Sequence, residues 1–193
     1  MGWEELMLEG PTYLVAEAGS GGTSLALHLA RHCLVDGSRV LWAAPEMPDP
    51  VRFSQILGGL SLTASSRFHA MNLIGRMDLI TKALKDAALD LPGVRLVVLD
   101  DWAPSTGRIP AGDIEAISGL LSELNGRVSV LLTAKPGTDM EAEDGLRVRS
   151  RTELEEAGCR VWKMTKSLPG RLLLTDGTTE VHLQPDDQGL TTL

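Results

Sequence analysis

A chain of 193 residues, 43% hydrophobic and 23% charged, is long enough for one compact domain with a real core and too apolar for a disordered one. A formal charge of −8 argues against a protein that holds nucleic acid over its whole surface, because backbone binding needs clustered cations; it leaves room for a local basic patch. The acidic start M-G-W-E-E-L-M-L-E-G has no basic region ahead of an apolar stretch, and no apolar run reaches the roughly 18 residues of a membrane span, so neither a signal peptide nor a membrane protein is expected and the location reads as cytoplasmic.

In chain order, residues 1–10 form a short amphipathic segment in which Trp3 is placed to cap a sheet or meet a partner. Residues 12–16 (T-Y-L-V-A) are a short apolar strand, and 23–35 carry a helical pattern in Leu25, Leu27, Leu29 and Leu34. A second buried strand, 39–44, contains Trp42 as a core residue; P-D-P at 48–50 then breaks the chain, with Pro50 favoured at the first position of a helix over 50–58. A strand near 67–73 leads to a helix at 76–90, where Met77, Ile80, Leu84 and Ala88 keep the 3.6 period. Residues 95–99 make a fully buried strand ending in Asp100 and Asp101, 112–125 a helix, and 128–133 another buried strand. Such continuous apolar strands between helices predict a mostly parallel sheet with helices on both faces. Three short strands at 159–165, 171–175 and 179–183, separated by S-L-P-G and D-G, predict a C-terminal antiparallel extension. The whole of 1–193 reads as a single α/β domain. Cys33 and Cys159, in no C-x-x-C spacing, read as reduced structural thiols. The polar, charged stretch 136–152 interrupts the pattern and is expected to be a flexible loop.

Residues 16–24, A-E-A-G-S-G-G-T-S, lie between a strand and a helix, where a phosphate-binding loop G-x-x-x-x-G-K-[ST] would lie. Such a loop points successive backbone N–H groups at an anion. Gly19, Ser20, Gly21, Gly22, Thr23 and Ser24 can still make that turn, and Thr23 stands where a Mg²⁺-binding hydroxyl belongs. The first glycine, however, is Ala16, and the lysine is Gly22. Losing a charged hydrogen bond of about 1.5–3 kcal/mol removes roughly one to two decades of nucleotide affinity. Asp100 closes a hydrophobic strand, where ligands of open α/β sheets gather. Glu46 closes the second strand, from which a carboxylate can orient water at a γ-phosphate. Each of these has a plain alternative: a ligand-free glycine turn, a solvated Asp at a strand end, a solvent-facing Glu in a proline-bounded loop.

In their order these parts resemble the RecA/RadA recombinase family, in particular the short archaeal RadA paralogues called RadB. G-S-G-G-T-S-L-A-L-H-L-A is similar to the family's phosphate loop and following helix, and V-L-W-A-A-P-E-M-P-D-P-V-R-F-S-Q-I to its strand, catalytic Glu and next helix. L-V-V-L-D-D-W resembles the acidic phosphate-site strand, V-S-V-L-L-T-A-K-P-G-T-D the strand ending in T-N-Q, and R-V-W-K-M-T-K-S-L-P-G-R-L-L-L-T-D-G the final hairpin. The resemblance covers most of 11–183.

It implies a RecA-like P-loop fold, with Glu46 at a vestigial general-base position and Gly19 to Ser24 at a weak or vestigial nucleotide site. Asp100 and Thr23 would hold Mg²⁺ only if nucleotide binds, so no cofactor is required, and ATP with Mg²⁺ is the one the site could take. The loop after the T-N-Q position contacts single-stranded DNA in the family, which makes Arg147, Arg149 and Arg151 the implied DNA contacts; the alternative is a solvated mixed-charge loop, and no aromatic residue there can stack a base. Trp102, after the Asp pair, is placed to line the nucleotide pocket or pack a neighbouring subunit. With Gly22 for lysine and Ala134-Lys135 for Asn-Gln, the expected function is that of an ATPase-deficient accessory or adaptor in DNA recombination and repair, its partner a recombinase or recombinase paralogue. Two alternatives stay open: a weakly ATP-binding or ATP-gated enzyme using Lys135 or Lys166 as substitute cation, and a RecA-like regulator or scaffold outside DNA repair.

Overall fold

The computed structural model describes residues 2–138, 146–186 and 188–193. The chain begins with helix α1 (Trp3–Leu8), strand β1 (Thr12–Ala16), helix α2 (Gly22–Val35) and strand β2 (Arg39–Ala44). Helix α3 (Pro50–Leu57) starts where Pro50 sets its first turn and the Asp49 carboxylate accepts the Arg52 N–H at 2.9 Å. The short helix α4 (Leu62–Ser65) is capped by the Ser61 hydroxyl, which accepts from the Ala64 N–H. Strand β3 (Phe68–Asn72), helix α5 (Met77–Asp90), strand β4 (Val94–Leu99), helix α6 (Ala111–Leu124) and strand β5 (Ser129–Ala134) follow. A two-residue pair, β6 (Gly137–Thr138) with β7 (Leu146–Arg147), precedes helix α7 (Arg151–Glu156). The chain closes with β8 (Arg160–Leu168), β9 (Arg171–Thr175), β10 (Glu180–Asp186) and β11 (Gly189–Thr192).

One nine-stranded sheet carries the order β11-β10-β9-β8-β1-β5-β4-β2-β3. From β8 to β3 all neighbours are parallel, and β9, β10 and β11 continue as antiparallel partners. The protein is therefore an α/β fold with a mostly parallel sheet and an antiparallel extension at one edge.

Strand alternation assigns each side chain to one of two cores. Leu14, Val40, Trp42, Leu96, Val98, Leu131 and Trp162 face α1, α2 and α3 on one side. Tyr13, Val15, Leu41, Val97, Leu99, Val130 and Leu132 face α5, α6 and α7 on the other. Because both faces are covered, the strands show the unbroken apolar runs from which the parallel sheet was expected. Cys33 and Cys159 are free thiols within these cores, and burial pushes them up to about 11 and about 12. Trp3 is 7% exposed and joins the first core. Among the described residues no helix is long and apolar enough to cross a membrane.

Two features differ from expectation. The antiparallel extension has a further strand, β11, whose G-L-T-T carries no apolar alternation; it forms because β10 offers a free edge (Leu183↔Thr192 to Asp186↔Gly189) and Leu190 is buried. Trp102 does not line the glycine-rich turn but is 3% exposed in the second core, its ring set edge-on to Tyr13 at 6.5 Å. At the described ends of the 136–152 stretch the backbone is paired (Gly137↔Arg147, Thr138↔Leu146), and Arg151 belongs to α7. Its middle, 139–145, lies outside the described residues.

Candidate phosphate-loop site and a neighbouring arginine cavity

β1 ends at Ala16, and five residues carry the chain into α2, which begins at Gly22. Gly19 (φ +72°) and Gly21 (φ +94°, ψ +33°) adopt left-handed backbone that residues with a Cβ rarely take, so two glycines are needed here for the turn itself. The Ser20 N–H donates to Glu17 O at 2.9 Å, closing the turn, and the Leu25 N–H donates to Gly21 O at 2.9 Å, starting the helix. A cavity of about 300 Å³ opens over this turn, bounded by Gly19, Gly22, Thr23, Asp101 and Lys135 among others.

Gly22 is glycine for a steric reason. A Cβ at this position would stand 2.7 Å from the Ala16 Cβ, closer than side-chain carbons approach one another, and neither atom belongs to a flexible side chain. The two departures from the phosphate-loop pattern are thus coupled: while Ala16 is present, a lysine at position 22 does not fit.

Asp100, at the end of β4, is 3% exposed and lies one strand removed from β1, across β5. Its carboxylate accepts the Thr133 hydroxyl at 2.6 Å and the Thr23 hydroxyl at 3.0 Å. Burial pushes the Asp100 carboxyl above its ordinary range, while the hydrogen bonds from Thr133 and Thr23 oppose that shift. Asp101 takes a left-handed φ of +48°; its N–H donates to the Thr133 hydroxyl oxygen at 2.8 Å, and its carboxylate pairs with Lys135 Nζ at 2.9 Å. Thr23 and Asp100, the two expected Mg²⁺ ligands, are therefore bonded to each other. Among the described residues no group of three or more His, Cys, Asp or Glu is placed to hold a metal.

Two lysines stand at the turn. Lys166 on β8 donates from Nζ to Ala18 O at 2.7 Å, and its backbone N–H donates to the Glu17 carboxylate at 2.8 Å. Lys135, just beyond β5, lines the cavity itself. The site thus keeps the backbone turn, Thr23 and Asp100, but its cations come from elsewhere and neither occupies the position 22 slot. These residues suit weak anion contact better than phosphoryl transfer, which needs a cation held against the transferred group.

Glu46 is exposed between Pro45 and Pro48, past the end of β2, and has no hydrogen bond or ion pair among the described residues. It does not line the cavity over the turn.

The three arginines separate in role. Arg149 is 8% exposed and its guanidinium donates to the carbonyls of Pro104 (2.6 Å), Gly107 (3.2 Å) and Lys135 (3.0 Å), while its own carbonyl accepts the Tyr13 hydroxyl at 3.2 Å. Burial pushes that Tyr13 hydroxyl up to about 12. Arg151 is exposed and pairs with Glu155 along α7 at 2.9 Å. Arg147 is exposed on β7. All three line one larger cavity together with Arg108, a residue the sequence reading passed over because G-R-I-P carries no pattern.

No family model matches the chain, and no curated protein matches its sequence.

Proposed function

We propose that this protein is a RecA-fold recombinase paralogue that no longer hydrolyses ATP and acts as an accessory or adaptor protein in DNA recombination. One observation carries the reading: Ala16 and Gly22 exclude the loop lysine together, in a chain that still sets the glycine turn, Thr23, Asp100 and Thr133 side by side at the carboxyl ends of adjacent parallel strands. Glu46, on the far side of β4 at the end of β2, follows the same family order. A glycine turn with Thr23 and Asp100 beside it but without the loop lysine supports a protein valued for its surfaces rather than its turnover.

The reading predicts that the purified chain forms a stoichiometric complex with the strand-exchange recombinase of its own organism, and that the complex is indifferent to ATP. Titration of one protein into the other by calorimetry, with and without ATP·Mg²⁺, tests this; absence of a complex at micromolar concentrations overturns it. A second reading, ATP-gated binding, is favoured by a single contact, the placement of Lys166 Nζ against Ala18 O. Under that reading the same titration would change with ATP.

A further inference from the structure

We propose that the arginine-lined cavity between the 105–109 segment and the 147–153 segment is a binding site for a compact, polyphosphate-bearing small molecule, separate from the glycine turn. The inference goes beyond the function proposed above and does not depend on it.

The cavity measures about 760 Å³, within the roughly 300–1,000 Å³ typical of small-molecule sites. Arg108, Arg147, Arg149 and Arg151 line it, against Glu153 as the single acidic residue among the described lining. Among the described residues the lining is thus predominantly basic, in a chain of net charge −8.

The four arginines are not equivalent. Arg149 is the built part of the site: it is nine-tenths buried, and its hydrogen bonds to Pro104, Gly107 and Lys135 tie the 105–109 segment to the end of β5. All three partners are neutral carbonyls. Its Nε is buried with no hydrogen-bond partner, and no carboxylate pairs with it among the described residues. A buried cation held only by neutral dipoles is incompletely compensated, and an anion in the cavity would supply the missing charge. The side chains of Arg108 and Arg147 stand exposed at the same cavity with no ion pair or side-chain hydrogen bond among the described residues. Their planar forks match phosphate oxygens in pairs. Ser105, Thr106 and Thr152 add hydroxyl donors to the lining.

The shape selects among phosphate ligands. A single strand of nucleic acid is held along a groove with aromatic side chains stacking its bases, whereas no aromatic residue lines this cavity among the described residues. With Arg151 paired to Glu155, the lining offers the Arg108 and Arg147 side chains beside the buried Arg149 on one concave space, which suits adjacent phosphoryl groups on a compact molecule.

Inorganic tripolyphosphate, titrated calorimetrically into the full chain, is the probe; inorganic phosphate and an oligothymidylate serve as comparison ligands. The expected result is saturable binding of tripolyphosphate, tighter than of inorganic phosphate. The Arg108→Gln/Arg147→Gln double variant should weaken it by about tenfold or more, as loss of charge-assisted hydrogen bonds requires, while Lys166→Met at the glycine turn leaves it unchanged. Both variants alter exposed side chains, and their melting curves establish that they remain folded. The proposal is overturned if Lys166→Met, and not the arginine variant, weakens binding, since the anion then sits at the turn. It is equally overturned if the oligothymidylate binds tighter than tripolyphosphate through the same arginines, or if tripolyphosphate gives no heat at millimolar concentration.

Discussion

Ala16 and Gly22 are steric complements: the Cβ of the first occupies the space that a Cβ on the second would need, with a separation of 2.7 Å. Gly22→Ala should therefore destabilise the wild-type chain by about 1–3 kcal/mol, the usual cost of overpacking, even though alanine is the better helix former. In an Ala16→Gly background the same substitution should be neutral or favourable. A double-mutant cycle by urea denaturation measures the pair, and a coupling energy of roughly 0.5–3 kcal/mol is expected; additivity within about 0.5 kcal/mol would contradict the interlock.

The same relationship predicts how nucleotide affinity can be restored. Gly22→Lys alone should fold poorly and gain little, because the lysine stem meets Ala16. Ala16→Gly/Gly22→Lys should bind ATP·Mg²⁺ about one to two decades more tightly than the wild type, the value of one charged hydrogen bond. Calorimetric titration of the three proteins distinguishes the cases, and equal affinities for wild type and double variant would show that the lysine slot is not the limiting defect.

A pH dependence is expected from the contact that fastens the last strand. The Leu190 N–H donates to His28 Nε2 at 2.7 Å, which requires a neutral imidazole, and Gly189 packs against the ring so closely that no side chain fits there. Burial lowers the His28 pKa below its ordinary 6.5; Arg31 and Arg52 also lower it, while Glu4 and Asp186 raise it. The unfolded chain then takes up the proton first, so this contribution is whole above pH 6.5 and is lost as pH falls through the lower folded value. Thermal midpoints should fall with pH below that point, and His28→Gln should flatten the slope. An unchanged slope in the variant would assign the dependence to other groups.

Much of this fold was legible in the sequence because its determinants are local. T-Y-L-V-A, R-V-L-W-A-A and V-R-L-V-V-L are apolar on both faces, which only a sheet covered on both sides accommodates, and Asp49 with Pro50 announces a helix start. The strand β11 was illegible because a burial of one residue, Leu190, and a hydrogen bond to His28 across 162 positions create it. At the site, the glycine turn, Thr23 and Asp100 could be named from spacing. That Gly22 is enforced by Ala16, and that Arg149 is a buried tie rather than a surface contact, depends on which atoms meet in space. The resemblance implied Arg147, Arg149 and Arg151 together as DNA contacts, yet Arg149 turns inward and Arg151 opens a helix.

Hydrolysis of ATP by the wild-type chain and its Glu46→Gln variant tests the central claim most directly. At millimolar ATP and Mg²⁺, both proteins should release phosphate at the same background rate. Steady turnover by the wild type that Glu46→Gln abolishes would contradict it.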